Sequence, residues 1–349
     1  MRKNGKIKRS VDRTRHTIFS GQQTCVAQSE LRLHEPPLQS GPKPSPTLLI
    51  KPLIQYHFLV FILALTAVLG RIISIEAPSL VFWRVFIAGL AMALWLAVIN
   101  PALLCLPRRR LLAALGLGLL QGAHWVCFFW SISLSNVSVA LAAFATISLF
   151  TAITEPLIER RPIRPGELLC GGIVIAGILL IAGNLGDDHR LGLMVGLAGA
   201  LLHSIFPVLN RQLVARGTPS RSMLLYEMAG ACLIAALVLP LISPHHFQFP
   251  AGRDWFPLLT LALLCTTVAH TWNIHLLRRL TAYTANLTMN FEPVWGILLG
   301  AILFHEYQQL HLAFYLGTVF IIVANFLDPW LKTRHRSSPT ATDSAGNRN

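Results

Sequence analysis

Four charged residues inside long apolar stretches matter most for chemistry in this chain: Arg84, Glu155, Glu227 and Glu292. A charge carried to the centre of a bilayer costs about 2.5–3.5 kcal/mol on insertion scales, so such residues persist where they have a partner, a wet cavity or a role. Glu292 is expected at the middle of its helix. There a carboxylate could hold a cationic or amino-bearing solute, or take up a proton. The alternative is a carboxylate that hydrogen-bonds across helices and holds a bundle together. Glu155 lies nearer the end of its stretch, where it either lines the same pathway or reaches out to the interface. Arg84 and Glu227 have opposite charge. They could form a gate, supply a counter-charge for a solute, or each close a local pair. Ser148 stands seven residues before Glu155, two helical turns, and so shares its face.

The neighbours of these residues suit the shaping of a cavity. Pro156 follows Glu155 and Pro293 follows Glu292. Each proline frees a carbonyl four residues back and is expected to kink its helix. Gly296 and Gly300 continue the Glu292 stripe at four-residue spacing and let another helix approach closely. His124, His203, His270 and His275 also lie in apolar stretches, where a lone histidine is usually a structural hydrogen-bonder. None stands at metal-ligand spacing with a carboxylate, and His305-Glu306 followed by His311 does not fit HExxH; no metal and no cofactor are expected. Asn273, three residues after His270, makes that face polar and a candidate cavity wall. The six cysteines form no CxxC pair and read as small apolar residues. Gly116, Gly118 and Gly122 have no strand before them and read as packing glycines, not a dinucleotide loop.

The elements that must position these residues are membrane-spanning helices. Of 349 residues 54% are hydrophobic and only 13% charged, about half the charge a soluble domain carries. Apolar stretches of roughly 20 residues, the length that crosses a bilayer, are predicted at 53–74, 79–99, 111–134, 137–158, 164–183, 192–213, 222–242, 255–277, 281–304 and 309–329. A soluble bundle of ten such helices would have no polar faces left to meet water. The formal net charge of +14 sits between these stretches and in the tails, a distribution that sets topology and gives no sign of nucleic-acid binding. With the N-terminus inside, all but four of the 29 Lys and Arg fall in cytoplasmic segments. The exceptions are Arg71 and Arg84 within helices and Arg190 and Arg253 in outer loops. Both termini are therefore expected in the cytoplasm, of a bacterial inner membrane. Residues 1–52 form a basic, Pro-rich tail that cannot bury a core and is expected to be disordered; residues 331–349 form a second polar, basic tail.

The chain also repeats itself. Val68-Leu69-Gly70-Arg71 returns as Val208-Leu209-Asn210-Arg211, Trp83-Arg84 corresponds to Tyr226-Glu227, and Ile147-Ser148-Leu149-Phe150 corresponds to Phe291-Glu292-Pro293-Val294. The offsets stay close to constant, which marks a duplication, with halves at 53–184 and 192–330. Five spans per half is an odd number, so the second half must be inverted. Inverted repeats place a solute site near the midplane where the halves meet. Ser148 is then the uncharged counterpart of Glu292, and together they offer a hydroxyl and a carboxylate.

These segments carry a resemblance. Thr281-Ala-Tyr-Thr-Ala-Asn-Leu-Thr-Met-Asn-Phe-Glu-Pro-Val-Trp-Gly, followed by an apolar run and His305-Glu306, resembles the second repeat of EamA-type transporters of the drug/metabolite transporter superfamily. Leu149-Phe150-Thr-Ala-Ile-Thr-Glu155-Pro156 with Glu159-Arg160 is similar to the matching segment of the first repeat, and Phe82-Trp83-Arg84 fits the second helix. The resemblance implies an all-α membrane protein of ten transmembrane helices in two inverted five-helix repeats, and export of small metabolites, amino acids or drugs. No Walker motif is present, so a secondary transporter, ion-coupled or exchanging, is expected. Its partners would be a small solute, the lipid bilayer, a proton or other coupling ion, and a second copy of the chain. The competing classes are a membrane-embedded enzyme, which needs a nucleophile–base pair or metal cluster at depth, and a non-transporting scaffold, for which a duplicated inverted fold has no evident use.

Overall fold

A computed structural model describes residues 46–163, 165–242, 247–277 and 288–337. Residues 1–45 of the N-terminal tail, Arg164, the Thr281–Leu287 part of the second repeat's motif and residues 338–349 lie outside the described residues. The described chain is helical. Its elements are α1 (Pro46–Ile72), α2 (Ala77–Ile99), α3 (Arg108–Leu134), α4 (Val137–Phe144), α5 (Ile147–Glu159), α6 (Pro165–Gly183), α7 (Asp187–Ala215) and α8 (Ser220–Ile242). The next rod, α9, joins an α-helical turn (Trp255–Leu259), a π-helical stretch (Thr260–Val268) and a second α-helical part (Ala269–Leu277). It is followed by α10 (Phe291–Phe304) and α11 (Leu312–Ser337).

Among the described residues, eight stretches, α4 and α5 counted as one, are long and apolar enough to cross a membrane; α10 and residues Leu312–Leu327 are shorter apolar helices. Two corrections to the expected stretches follow. The fourth is not continuous but stops at Phe144 and restarts at Ile147. Glu292 is not at the middle of a helix but in the first turn of α10, immediately after a turn at Asn290. Pro293 explains part of this. In the first helical turn its missing N–H leaves no hydrogen bond unmade, so it starts a helix rather than bending one. Pro156, by contrast, lies inside an unbroken α5, and the interruption of this span falls ten residues earlier, at Thr146.

Large apolar side chains face outward as well as forming the core, and polar side chains are buried among them. Val98, Leu241 and Phe256 are at least 80% exposed, while Arg84, Gln121, His124, Glu227, Thr266 and Asn325 are buried. Water would oppose that arrangement, whereas hydrocarbon around the bundle favours it. The packing also follows the duplication. Counting helices within each half, the first packs on the third and fourth of the other half (α1 on α9 and α10; α7 on α3, α4 and α5). The second helices α2 and α8 pack on each other, as do the fifth helices α6 and α11. Exchanging the halves leaves this set of pairings unchanged, as a two-fold relation between them would.

Small residues permit the tightest of these contacts. A side chain at Gly118 on α3 would run into the Glu227 backbone of α8, and one at Gly230 would meet the Leu115 carbonyl in return. On α10, Gly296 faces the Leu141 side chain of α4, and a Cβ at Gly300 would lie 3.2 Å from Val137. The glycine stripe predicted on the Glu292 helix is thus the surface that α10 presents to α4.

Candidate functional site

The site is built around two interrupted helices at corresponding places in the halves. Asn136 caps α4, its Oδ1 accepting from the Val139 N–H at 2.9 Å. Ten residues later Thr146 closes the helix, its hydroxyl donating to the Ala143 carbonyl at 2.6 Å. The Ala145 carbonyl is left without a helical partner and accepts instead from Asn325 Nδ2 of α11 at 3.0 Å. Ser148, in the first turn of α5, donates its hydroxyl to Asn325 Oδ1. In the second half the break falls at Asn290, whose Nδ2 donates to the Asn325 backbone carbonyl at 2.7 Å. Asn325 therefore ties both breaks together. α5 begins at Ile147 and α10 at Phe291, the pair of positions that the sequence repeat equates, and each ends on a left-handed residue, Arg160 and His305.

Glu292 is half-buried at the N-terminus of α10, where unsatisfied N–H groups and the helix dipole favour a negative charge. Arg84 of α2 is 2% exposed and lies within electrostatic reach of Glu292. Its Nε donates to Thr266 Oγ1 at 2.8 Å. Its guanidinium carbon sits 4.4 Å from the centre of the Trp125 ring and 5.6 Å from that of Phe129, and such stacking is worth about 2 kcal/mol when desolvated. Nη1 is buried with no hydrogen-bond partner.

The π-helical stretch of α9 is what delivers Thr266. Thr266 and Thr267 donate their hydroxyls to carbonyls five residues back, Leu261 at 2.8 Å and Ala262 at 3.1 Å. Widened turns of this kind recur at functional sites because they re-aim side chains. On the next turns His270 lies 6.5 Å from Trp125 ring to ring, and Asn273 Oδ1 accepts from the Tyr56 hydroxyl of α1 at 2.9 Å. Behind Trp125, the rings of His124 and His203 are 4.5 Å apart. His124 Nδ1 contacts the Gly199 carbonyl at 2.9 Å and His203 Nδ1 contacts Gln121 Oε1 at 3.1 Å. Among the described residues no group of three His, Cys, Asp or Glu forms a metal site.

The structure thus gathers Glu292, Arg84, His270 and Asn273, with Ser148 joined to the same region through Asn325. It does not bring in the other two carboxylates. Glu155 pairs with Arg161 at 3.1 Å and Arg211 at 3.0 Å, in a cluster with Glu159 and Glu167 at the far end of α5. There the Glu167 and Glu155 carboxylates hold the Arg161 guanidinium above its ordinary pKa. Glu227 is buried against α7 and accepts from Asn210 Nδ2 at 2.9 Å. Tyr56, Trp125, Thr266, Asn290 and Asn325 belong to the site but were not expected in it. Asn290, two residues before Glu292, had a local signal; the others take their place only through partners far away in the chain.

No curated protein matches the chain. Among solved structures, one crystal structure aligns over 82% of this chain and 99% of its own, with a TM-score of 0.57 and 20% identity, a likeness of fold alone. The family model of EamA-like transporters matches residues 53–183 and again residues 190–327. Two matches in tandem, each containing one of the broken helices, leave a single assignment: the chain is an integral, multi-pass membrane protein of the EamA-like transporter family, within the drug/metabolite transporter superfamily.

Proposed function

We propose that the protein is a secondary transporter that moves a small solute through a site formed where its two repeats meet, lined by Glu292, Arg84, His270, Asn273 and Ser148. The observation that carries this reading is the pair of broken helices, α4–α5 and 288–304, which meet at Asn325 beside a half-buried carboxylate and a buried guanidinium. Discontinuous helices offer a solute free backbone groups and helix ends at depth without exposing them to lipid. Ten spans in two inverted halves agree with the symmetric packing and with the Lys/Arg distribution, which puts both termini in the cytoplasm. Export of small metabolites, amino acids or drugs across a bacterial inner membrane, coupled to an ion or by exchange, is the activity proposed, with Glu292 taking the solute or the coupling proton. A second copy of the chain is a further proposed partner. Glu155 and Glu227 are assigned to local pairs outside the site.

Purified protein in liposomes, offered a panel of labelled metabolites, amino acids and drugs with and without a proton gradient, tests this. Saturable uptake of at least one solute is expected, with a response to the gradient if the proton is the coupling ion. Passive leakage alone, from protein shown to be folded, would refute it.

A further inference from the structure

Each half lays its fourth helix against the first helix of the other, which makes two equivalent seams: α5 with α7, and α10 with α1. Their chemistry differs. In the α5–α7 seam the buried Thr154 hydroxyl donates to Ser204 Oγ at 3.2 Å. Two turns further along α7, Arg211 pairs with Glu155 at 3.0 Å and with Glu159. Arg161, just past the end of α5, shares Glu155 at 3.1 Å and holds Glu167 at 2.9 Å. The seam leads away from the site, since Glu155 shares a face of α5 with Ser148 two turns earlier. It ends on the side proposed as cytoplasmic.

The other seam has none of this. The register that equates Ile147 with Phe291 and Val208 with Val68 assigns Leu298, Leu299 and Leu303 to the places of Thr154, Glu155 and Glu159. It assigns Ala64 and Arg71 to those of Ser204 and Arg211. Arg71 keeps the cation without the carboxylates: it is exposed and, among the described residues, in no ion pair. The α10–α1 contact is apolar, with the Phe61 ring 5.7 Å from that of Trp295.

Moving a solute across two inverted halves requires the ends of the bundle to open in turn. Parting α5 from α7 pulls Arg211 from two carboxylates. The Arg211 side chain is 60% exposed, so salt screens that attraction; an apolar seam has no such dependence. Resting on the transport reading above, we infer that the α5–α7 seam is the gate between the site and this end of the protein, with Arg211 as its ionic latch, and that the α10–α1 seam is a gate without one.

The test uses the full chain in liposomes carrying Ser204→Cys or, at the counterpart place, Ala64→Cys, both buried in closed seams. A membrane-impermeant thiol reagent is supplied on both faces, and peptide mass spectrometry separates these positions from the native cysteines. Raising salt from about 0.1 M to about 1 M shortens the screening length from about 10 Å to about 3 Å. Labelling of Ser204→Cys should then rise roughly three-fold or more, and that of Ala64→Cys should not. Arg211→Gln should give the same rise at low salt and remove the salt response, while Arg211→Lys, which keeps the charge, should stay near the parent. Thr154→Cys on the facing helix is the reporter if Ser204→Cys does not fold. Thr154→Cys with Ser204→Cys, cross-linked by oxidation, should stop uptake of the parent's solute, and reduction should restore it. Labelling of the α5–α7 seam that neither salt nor Arg211→Gln changes overturns the inference and leaves the transport reading standing. An equal rise at both seams, or unimpaired uptake through the cross-linked protein, does the same. Absence of any protein-dependent uptake by the folded parent defeats the transport reading and the gate with it.

Discussion

Asn325 spends both polar atoms of its side chain on the first helix break, accepting from Ser148 and donating to the Ala145 carbonyl, while its own carbonyl receives Asn290 from the second break. Asn325→Ala leaves the Ala145 carbonyl and the Ser148 hydroxyl without partners in the interior. The expected cost is about 1–3 kcal/mol, read as a lowered unfolding midpoint of the purified protein in detergent. An unchanged midpoint would mean water has taken over both bonds and the breaks do not depend on α11. Which residues could be read from the sequence follows from this case. Arg84 and Glu292 were legible because a charge in an apolar stretch stands out without any knowledge of its partner. Asn325, Tyr56 and Thr266 were not. Each is an ordinary polar residue in a helix until it meets a group 177 to 217 positions away in sequence, Ser148 for Asn325, Asn273 for Tyr56 and Arg84 for Thr266.

At the scale of the helix, the interruptions matter more than the helices. Apolar length located the spans, and the four-residue spacing of Gly296 and Gly300 located the face of α10 that α4 covers. The breaks themselves were misplaced. Pro156 lies inside a helix that runs on without interruption, whereas Thr146, which carries no strong breaker signal, ends α4 by folding its hydroxyl back onto Ala143. The π-helical stretch was equally silent, since threonines that bond five residues back look the same in sequence as threonines that bond four back. Gly296→Leu should drive a side chain into Leu141 and separate α10 from α4, sharply lowering the yield of folded protein by fluorescence-detected size-exclusion chromatography. Gly116→Leu is its control, because a Cβ there meets nothing within 4 Å, and its yield should stay at the parent level. Equal yields from the two would show that the α10–α4 contact does not govern folding.

The whole molecule combines an apolar exterior, polar groups buried within an apolar core and two halves whose pairings survive exchange. The proposed orientation rests on the Lys and Arg distribution, and on it reporter fusions after Arg110, Asp188 and Arg336 should read inside, outside and inside. An external signal at Arg336 would defeat the ten-span topology. Deleting residues 2–45, with their four prolines and no apolar run, should leave insertion and thermal stability nearly unchanged; loss of folded protein would show that the tail packs on the bundle. The duplication was legible because the repeated segments keep their order and spacing, but the pairing of helices across the halves was not, as it depends on contacts that no single segment encodes. Solute flux through the junction of the halves is the central claim, and Glu292→Gln tests it most directly. The change keeps shape and hydrogen bonding and removes the titratable charge. Reconstituted at equal density, the variant should insert and unfold like the parent yet lose coupled uptake of the parent's solute. Uptake equal to the parent's at every pH measured would contradict the account and return Glu292 to a structural role.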